Sequence, residues 1–381
     1  MPSLKLFGMP ASLYTAKARS YLRKQALPIE EHSVSSAEYQ TVVQPAIQRM
    51  IMPVLTTDTG DIIQDSADII RFCENQYSTP HPALPESAIL RSISYLFELF
   101  GGEGLLRPAM HYRWNFDDSN LDFLRSEFRC LAPADMNEDY WPPVFEHASG
   151  RMRKAALAFG VNEQSAPIIE ASYDEFLQLF NAHIKDYPYL LGGRPTLGDY
   201  ALMGPLYAHL YRDPKPGMLM RQKAPRVARW VERMNTAETC WTDYAAVSDE
   251  LVDESNLPDT LLALMRFIGV DYMPEILAHV DYANQWLRER PNLPAHSSGF
   301  DKASKRDIGA VEFEWRDITI NTSVMPYRFY LLQYLQDSFD EATEEARESI
   351  ETLFTDCGIH AMLSARTKRR VIRKQHLEVW E

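Results

Sequence analysis

The stretch FGMPASLYTAKAR, residues 7–19, joins an apolar run to a helix-forming one. Leu4 to Gly8 reads as a short strand. Tyr14 to Gln25 reads as a helix, with Ala16, Ala18, Tyr21 and Leu22 interleaved with Lys17, Arg19, Arg23 and Lys24. Ser12 stands at the junction. A serine there caps the helix by accepting from a backbone N–H. A hydroxyl at a helix start can equally donate to a thiolate, which the helix field favours.

Working outward from this junction, strand and helix signals alternate through the first 80 residues. Pro28 to Val34 forms a second strand. Pro53 to Thr57 and Ile62 to Gln64 form two strands joined by the tight turn Asp58-Thr59-Gly60-Asp61. Ser66 to Tyr77 follows as a helix with Ile69, Ile70, Cys73 and Tyr77 on one face. This order specifies a small α/β sheet domain, and the prolines at 80, 82 and 85 mark a linker after it.

Residues 86–239 read as helix. Ile89, Ile93, Leu96, Phe97 and Phe100 make one apolar stripe, Tyr173, Phe176, Leu177, Phe180 and Ile184 another, and Val227, Trp230, Val231 and Met234 a third. Thr196-Leu197-Gly198-Asp199 has capping-box spacing. After Trp241 the character changes. Asp243 to Pro258 is acidic and loop-like. Helices are expected over Leu261 to Ile268, Pro274 to Arg288, Pro326 to Phe339 and Glu341 to Phe354, with a strand pair or a strand and loop over Val311 to Val324. The basic tail, Arg366 to Lys374, reads as a partner site or as a strand or helix face packed on one side through Val371 and Ile372.

At 381 residues the chain exceeds one ordinary core. Its 45% apolar and 24% charged residues are those of a soluble globular protein, and a net charge of −14 disfavours nucleic acid and anionic membranes as partners. No apolar run is long enough to span a bilayer, and no secretory signal is expected at the N-terminus. Cys73, Cys130, Cys240 and Cys357 form no C-x-x-C pair, which fits a reducing cytoplasm. The ten histidines show no metal-ligand spacing, so no metal is expected. The G-G-x-G of Gly101 to Gly104 follows a helix rather than a strand, unlike a phosphate loop.

Two further short motifs carry chemistry. Met52-Pro53 places a proline at the head of an apolar strand, either as a trans strand start or as a cis bond that turns the Met52 backbone toward an extended ligand. Gln64-Asp65-Ser66 opens a helix. Asp65 and Ser66 can cap it, or they can bind the ammonium and carboxylate of an amino-acid head group.

Taken together, LFGMPASLYTAKARSYL, MPVL, QDSADIIRFCE and GGRPTLGDYALMGPLY resemble the glutathione transferase family over residues 1–80 and 86–237, whereas 240–381 has no counterpart there. The resemblance implies a thioredoxin-like α/β N-terminal domain (1–80) and an all-α C-terminal domain (86–239), and the residue patterns give a mixed, mostly helical extension (240–381). It implies glutathione as co-substrate, with Ser12 stabilising its thiolate. The Met52 backbone before a cis Pro53 would pair with the cysteinyl part, and Asp65 and Ser66 would hold the γ-glutamyl end. Thr196 and Asp199 would be structural. Ile51 and Leu13 depart from the family pattern, and Arg49 is the residue that could compensate at the glycyl end. Tyr14 is a rival hydroxyl at the pocket edge. Tyr95, His111, Tyr112 and Trp114 are the aromatic candidates for a hydrophobic electrophile, with plain core packing as the alternative. The family also implies a homodimer and a detoxification role by conjugation or glutathione-dependent cleavage. A non-catalytic binding or scaffolding protein on the same fold is the alternative, and the extension could bound the pocket or replace the dimer contact.

Overall fold

The apolar run at the N-terminus becomes strand β1 (Leu4–Phe7), with Leu4, Leu6 and Phe7 buried. In the computed structural model, which describes residues 3–133, 135–238, 242–244, 248–302 and 304–381, β1 leads into helix α1 (Leu13–Lys24). Strand β2 (Ile29–His32) runs parallel to β1. The stretch before Met52 is a π-helical turn at Tyr39–Val43 running into α2 (Gln44–Ile47). Antiparallel β3 (Val54–Thr56) and β4 (Ile62–Gln64) complete a four-stranded sheet in the order β2-β1-β3-β4. Helix α3 (Ser66–Gln76) follows the hairpin. The turn from β1 to α1 is tight: a Cβ at Gly8 would lie 2.4 Å from the Thr15 Cγ2.

The second domain contains α4 (Ala88–Leu99), α5 (Leu106–Trp114), α6 (Asp117–Phe128), α7 (Trp141–Ala158), α8 (Ala166–His183), α9 (Leu197–Ala208), α10 (Pro214–Lys223) and α11 (Pro225–Met234). A π-helical turn at Phe100–Gly104 joins α4 to α5. Its glycines serve packing: a Cβ at Gly101 would sit 2.6 Å from the Leu202 nitrogen of α9. The Thr196–Asp199 box is formed, with the buried Asp199 carboxylate accepting from the N–H groups of Thr196 (2.9 Å) and Leu190 (2.8 Å).

The extension contains α12 (Asp259–Asp271), α13 (Met273–Arg288), the hairpin β5 (Ala310–Trp315) and β6 (Ile318–Ser323), α14 (Pro326–Asp340), α15 (Glu344–Asp356), α16 (Ala361–Ser364) and the hairpin β7 (Val371–Lys374) and β8 (Leu377–Trp380). It does not form a core of its own. One continuous cluster of buried side chains includes Leu6 of β1, Phe97 of α4, Ile268 of α12, and Leu331 and Leu335 of α14. Helix α14 lies along α4. Each fully buried leucine contributes roughly 1.5–3 kcal/mol, so α14 is held by its apolar face before any polar contact is counted. Cys73, Cys130 and Cys357 are free thiols, and Cys240 lies outside the described residues.

Candidate functional site

Ser12 is the N-cap of α1, with extended backbone angles (φ −89°, ψ 125°). Its Oγ accepts from the Thr15 N–H at 3.3 Å. The hydroxyl hydrogen has no acceptor among the described residues, and the side chain is half-buried. Capping therefore uses the oxygen lone pair and leaves the O–H to donate. The positive end of the α1 dipole adds to that donor.

Tyr14 is differently engaged. Its hydroxyl donates to Glu103 Oε1 at 2.8 Å. Burial and the Glu103 carboxylate push its pKa well above the usual phenol value. Its one proton is committed, which separates it from Ser12 as a donor to a ligand.

The Met52–Pro53 peptide bond is cis. Met52 is half-buried, and its backbone N–H and C=O have no partner among the described residues. The acid–serine pair comes directly after β4, on the strand that pairs with β3. Asp65 has φ 87° and ψ 137°, a strained region for a residue with a Cβ, and its carboxylate caps α3 by accepting from the Ala67 N–H at 2.9 Å. Ser66 is fully buried, and its Oγ has no hydrogen-bond partner among the described residues. These positions share the end of the sheet where β3 begins and β4 stops, and they suit an extended ligand carrying a carboxylate.

The extension reaches the same place. Tyr327 of α14 donates its O–H to Asp65 Oδ1 at 2.9 Å, and Tyr330 donates to Asp68 Oδ1 at 2.6 Å. Arg373 of β7 donates through Nε to Asp68 Oδ2 at 2.9 Å and through Nη1 to Glu378 Oε1 at 2.7 Å. Its Nη2 lies 3.8 Å from Asp65 Oδ2. Arg49 donates to Glu378 Oε2 at 3.3 Å. Burial raises the Asp65 carboxyl, against the pull of Arg373 and Lys17. Burial acts the same way on Glu378, but Arg373, Arg306 and Arg49 outweigh it and hold that carboxyl at about 2.

A chain of buried charges seats this layer. Arg328 of α14 donates to Glu103 Oε2 (3.1 Å) and to Glu275 Oε1 (2.5 Å), and Arg107 donates to Glu275 Oε2 (2.5 Å). Glu103 stands in the π-helical turn after α4 and also receives the Tyr14 hydroxyl, so the network ends at the candidate site. A second buried set, Lys17 to Glu98 (2.7 Å) and Arg71 to Glu98 (3.2 Å), ties α1 and α3 to α4. Burial would raise Glu98, but Lys17 and Arg71 hold it below the usual carboxylate value.

The aromatic candidates fall elsewhere. Tyr95 stacks on Tyr334 of α14 at 5.8 Å. His111 and Tyr112 of α5 make their contacts with Phe116, Tyr173 and Glu170, the last accepting at 3.0 Å from His111 when its Nε2 carries hydrogen. Trp114 packs on Phe128. Tyr14, Asp65 and Arg49 are linked through Tyr327, Arg373 and Glu378 of the extension, Ser12 stands two residues before Tyr14 and Ser66 directly after Asp65, and Tyr95, His111 and Tyr112 are buried in packed surroundings. Tyr327, Arg373, Glu378, Glu103 and Arg306 were not anticipated. The one available signal was the basic tail: Arg366 and Arg370 pair with Asp340 and Asp337, while Arg373 turns inward, its side chain 13% exposed. No group of three or more His, Cys, Asp or Glu among the described residues could hold a metal ion, and no helix among them is long and apolar enough to cross a membrane.

Residues 6–81 match the glutathione S-transferase N-terminal domain, and residues 140–238 match the glutathione S-transferase C-terminal domain. Among solved structures, a glutathione S-transferase from Methylobacterium radiotolerans in complex with glutathione sulfonate is 19% identical, with 66% of this chain and 98% of that one covered and a TM-score of 0.38. The beta-etherase LigF from a Sphingobium species is 16% identical, with 62% and 96% covered and a TM-score of 0.44. FzlA from C. crescentus is 16% identical, with 61% and 87% covered and a TM-score of 0.36. No curated protein matches the chain.

Proposed function

Because this chain carries both domains of the glutathione transferase family, we propose that it is a glutathione transferase-like enzyme. It binds glutathione along the Met52 backbone and Ser66 and lowers the thiol pKa through Ser12. The observation that carries this reading is the Ser12 hydroxyl, whose oxygen caps α1 while its hydrogen has no acceptor among the described residues. Donation to a thiol sulfur stabilises the thiolate relative to the thiol, and the α1 N-terminus acts in the same sense. The thiolate then attacks a hydrophobic electrophile by conjugation or by cleavage of a bond to a leaving group. Arg49 faces the glycyl end in place of the residue that Ile51 does not supply. The reading includes a cytoplasmic homodimer serving detoxification, as in other members of the family.

The test is Ser12→Ala with an activated aryl halide at saturating glutathione. Turnover is expected to fall about a hundredfold or more with little change in KM, and the pH–rate profile to move toward higher pH. Turnover equal to wild type would remove Ser12 from the chemistry. A second reading, a binding or scaffolding protein that keeps the fold without the reaction, draws on one observation: Asp65 already accepts from Tyr327 of the extension. No binding of the full chain to glutathione at millimolar concentration would favour it.

A further inference from the structure

The carboxylate that would receive a ligand's ammonium is already supplied with donors from this chain. Asp65 Oδ1 accepts from the Tyr327 O–H and the Ala67 N–H, both at 2.9 Å, and Arg373 Nη2 stands 3.8 Å from Oδ2. Asp65 is 8% exposed and Tyr327 4%, so little water reaches this pairing. Tyr330 and Arg373 engage the neighbouring Asp68 in the same way. Three donors on two elements of the extension thus converge on the acidic start of α3.

The groups left without partners are mostly donors. Ser66 Oγ, the Gln64 amide, and Arg49 Nε and Nη1 are buried and make no hydrogen bond among the described residues. Ser66, Gln64 and Arg49 are each more than nine-tenths buried. They lie along one run of contacts, from Ser66 beside Asp65 through Arg373 and Glu378 to Arg49. Arg306, in the loop before β5, places a further positive charge near Glu378, Tyr14, Glu103 and Asp65. Buried donors without acceptors are uncommon in folded proteins, and several together favour a ligand that brings acceptors. A carboxylate satisfies them. An ammonium adds donors where donors are already in excess and must give up its hydration to enter.

We propose that Tyr327 and Arg373 take the place of the ligand's ammonium at Asp65, so that this site reads the carboxylates of an acidic thiol and is indifferent to its α-amino group. The inference rests on the glutathione reading above and narrows it: the ligand class is carboxylate-bearing thiols, with or without a free amine. Tyr327 is then a specificity residue that acts through Asp65, since specificity is a difference between affinities for two ligands.

The experiment is calorimetric titration of the full chain with glutathione and with glutaryl-cysteinyl-glycine, which keeps both carboxylates and the thiol but lacks the α-amino group. In the wild type, glutathione is expected to bind no more than fivefold more tightly than the glutaryl compound. In Tyr327→Phe, which frees one lone pair of Asp65 and keeps the ring, that ratio is expected to rise at least fivefold over the wild-type value. Arg373→Gln serves as a second variant with the same expected direction. A wild-type preference for glutathione above fivefold, or a ratio that rises less than fivefold in both variants, overturns this inference and leaves the thiol reading standing. Failure of both thiols to bind wild type and variants alike overturns the thiol reading and this inference with it.

Discussion

Glu275→Gln probes what holds the extension against the candidate site. Glu275 bridges Arg107 and Arg328, both at 2.5 Å, and all three side chains are 4% exposed or less. With Glu103 the four charges balance, two positive against two negative. Glutamine keeps the shape but leaves one net positive charge buried, which costs about 3–5 kcal/mol. A second route gives a similar figure. Burial works against the Glu275 charge, yet Arg328 and Arg107 hold its carboxyl at about 2, against an ordinary value of 4.5. That difference corresponds to about 3 kcal/mol of stability. Because the folded-state value is depressed, this stability is complete above about pH 4.5 and is lost as pH falls toward 2. An unfolding entropy of about 2.1 cal/mol/K per residue over 381 residues gives about 0.8 kcal/mol/K, so a loss of about 4 kcal/mol lowers Tm by about 5 °C. The assay is urea denaturation of wild type and variant at pH 7, pH 5 and pH 3.5. The gap between them should narrow at the lowest pH and change little between 0.1 and 1 M salt, because the charges are shielded from solvent. A variant within 1 kcal/mol of wild type at pH 7, or a gap that collapses in salt, would refute the argument that this buried network seats α14.

Other perturbations have equally definite outcomes. Asp199→Ala removes the acceptor for the Thr196 and Leu190 N–H groups and leaves both buried, so it should lower stability by about 2–4 kcal/mol in urea denaturation. Trp380→Ala removes a fully buried ring packed on Trp286 and Phe329 and should cost about 3–5 kcal/mol; a smaller loss would mean that β7 and β8 are not integral to the core. Glu378→Gln leaves Arg49 and Arg373 without their shared carboxylate, so the variant should lose stability near neutral pH and converge with wild type as pH falls from about 4.5 to about 2, followed by circular dichroism during acid titration.

The local patterns of the sequence were enough to place β1, α1, the β3–β4 hairpin and α3, because apolar periodicity and turn residues act over a few neighbours. The capping box at Thr196 was legible for the same reason, and the β5–β6 pair was one of two readings that the partial alternation left open. Helices α12 to α15 of the extension were also anticipated, with modest shifts at their ends, whereas the short α16 was not: α15 begins after Thr343, which caps it by accepting from the Ala346 N–H, rather than at Glu341. Ser12, the Met52–Pro53 bond, Asp65 and Ser66 could each be singled out because each sits at a strand–helix or strand–turn junction, and the family resemblance joined them as one candidate group.

Nothing local in the sequence joins Tyr327 to Asp65, 262 residues apart, or Arg373 to Asp68, 305 apart. Such contacts depend on how α14 and β7 dock on the rest of the chain, and the basic tail gives no sign of which arginine turns inward. The sequence alone decided that a helix would follow Pro326. Only the tertiary structure decided that its tyrosines would close over the start of α3, because buried hydroxyls need acceptors and the carboxylates that Tyr327 and Tyr330 meet, Asp65 and Asp68, belong to the first domain.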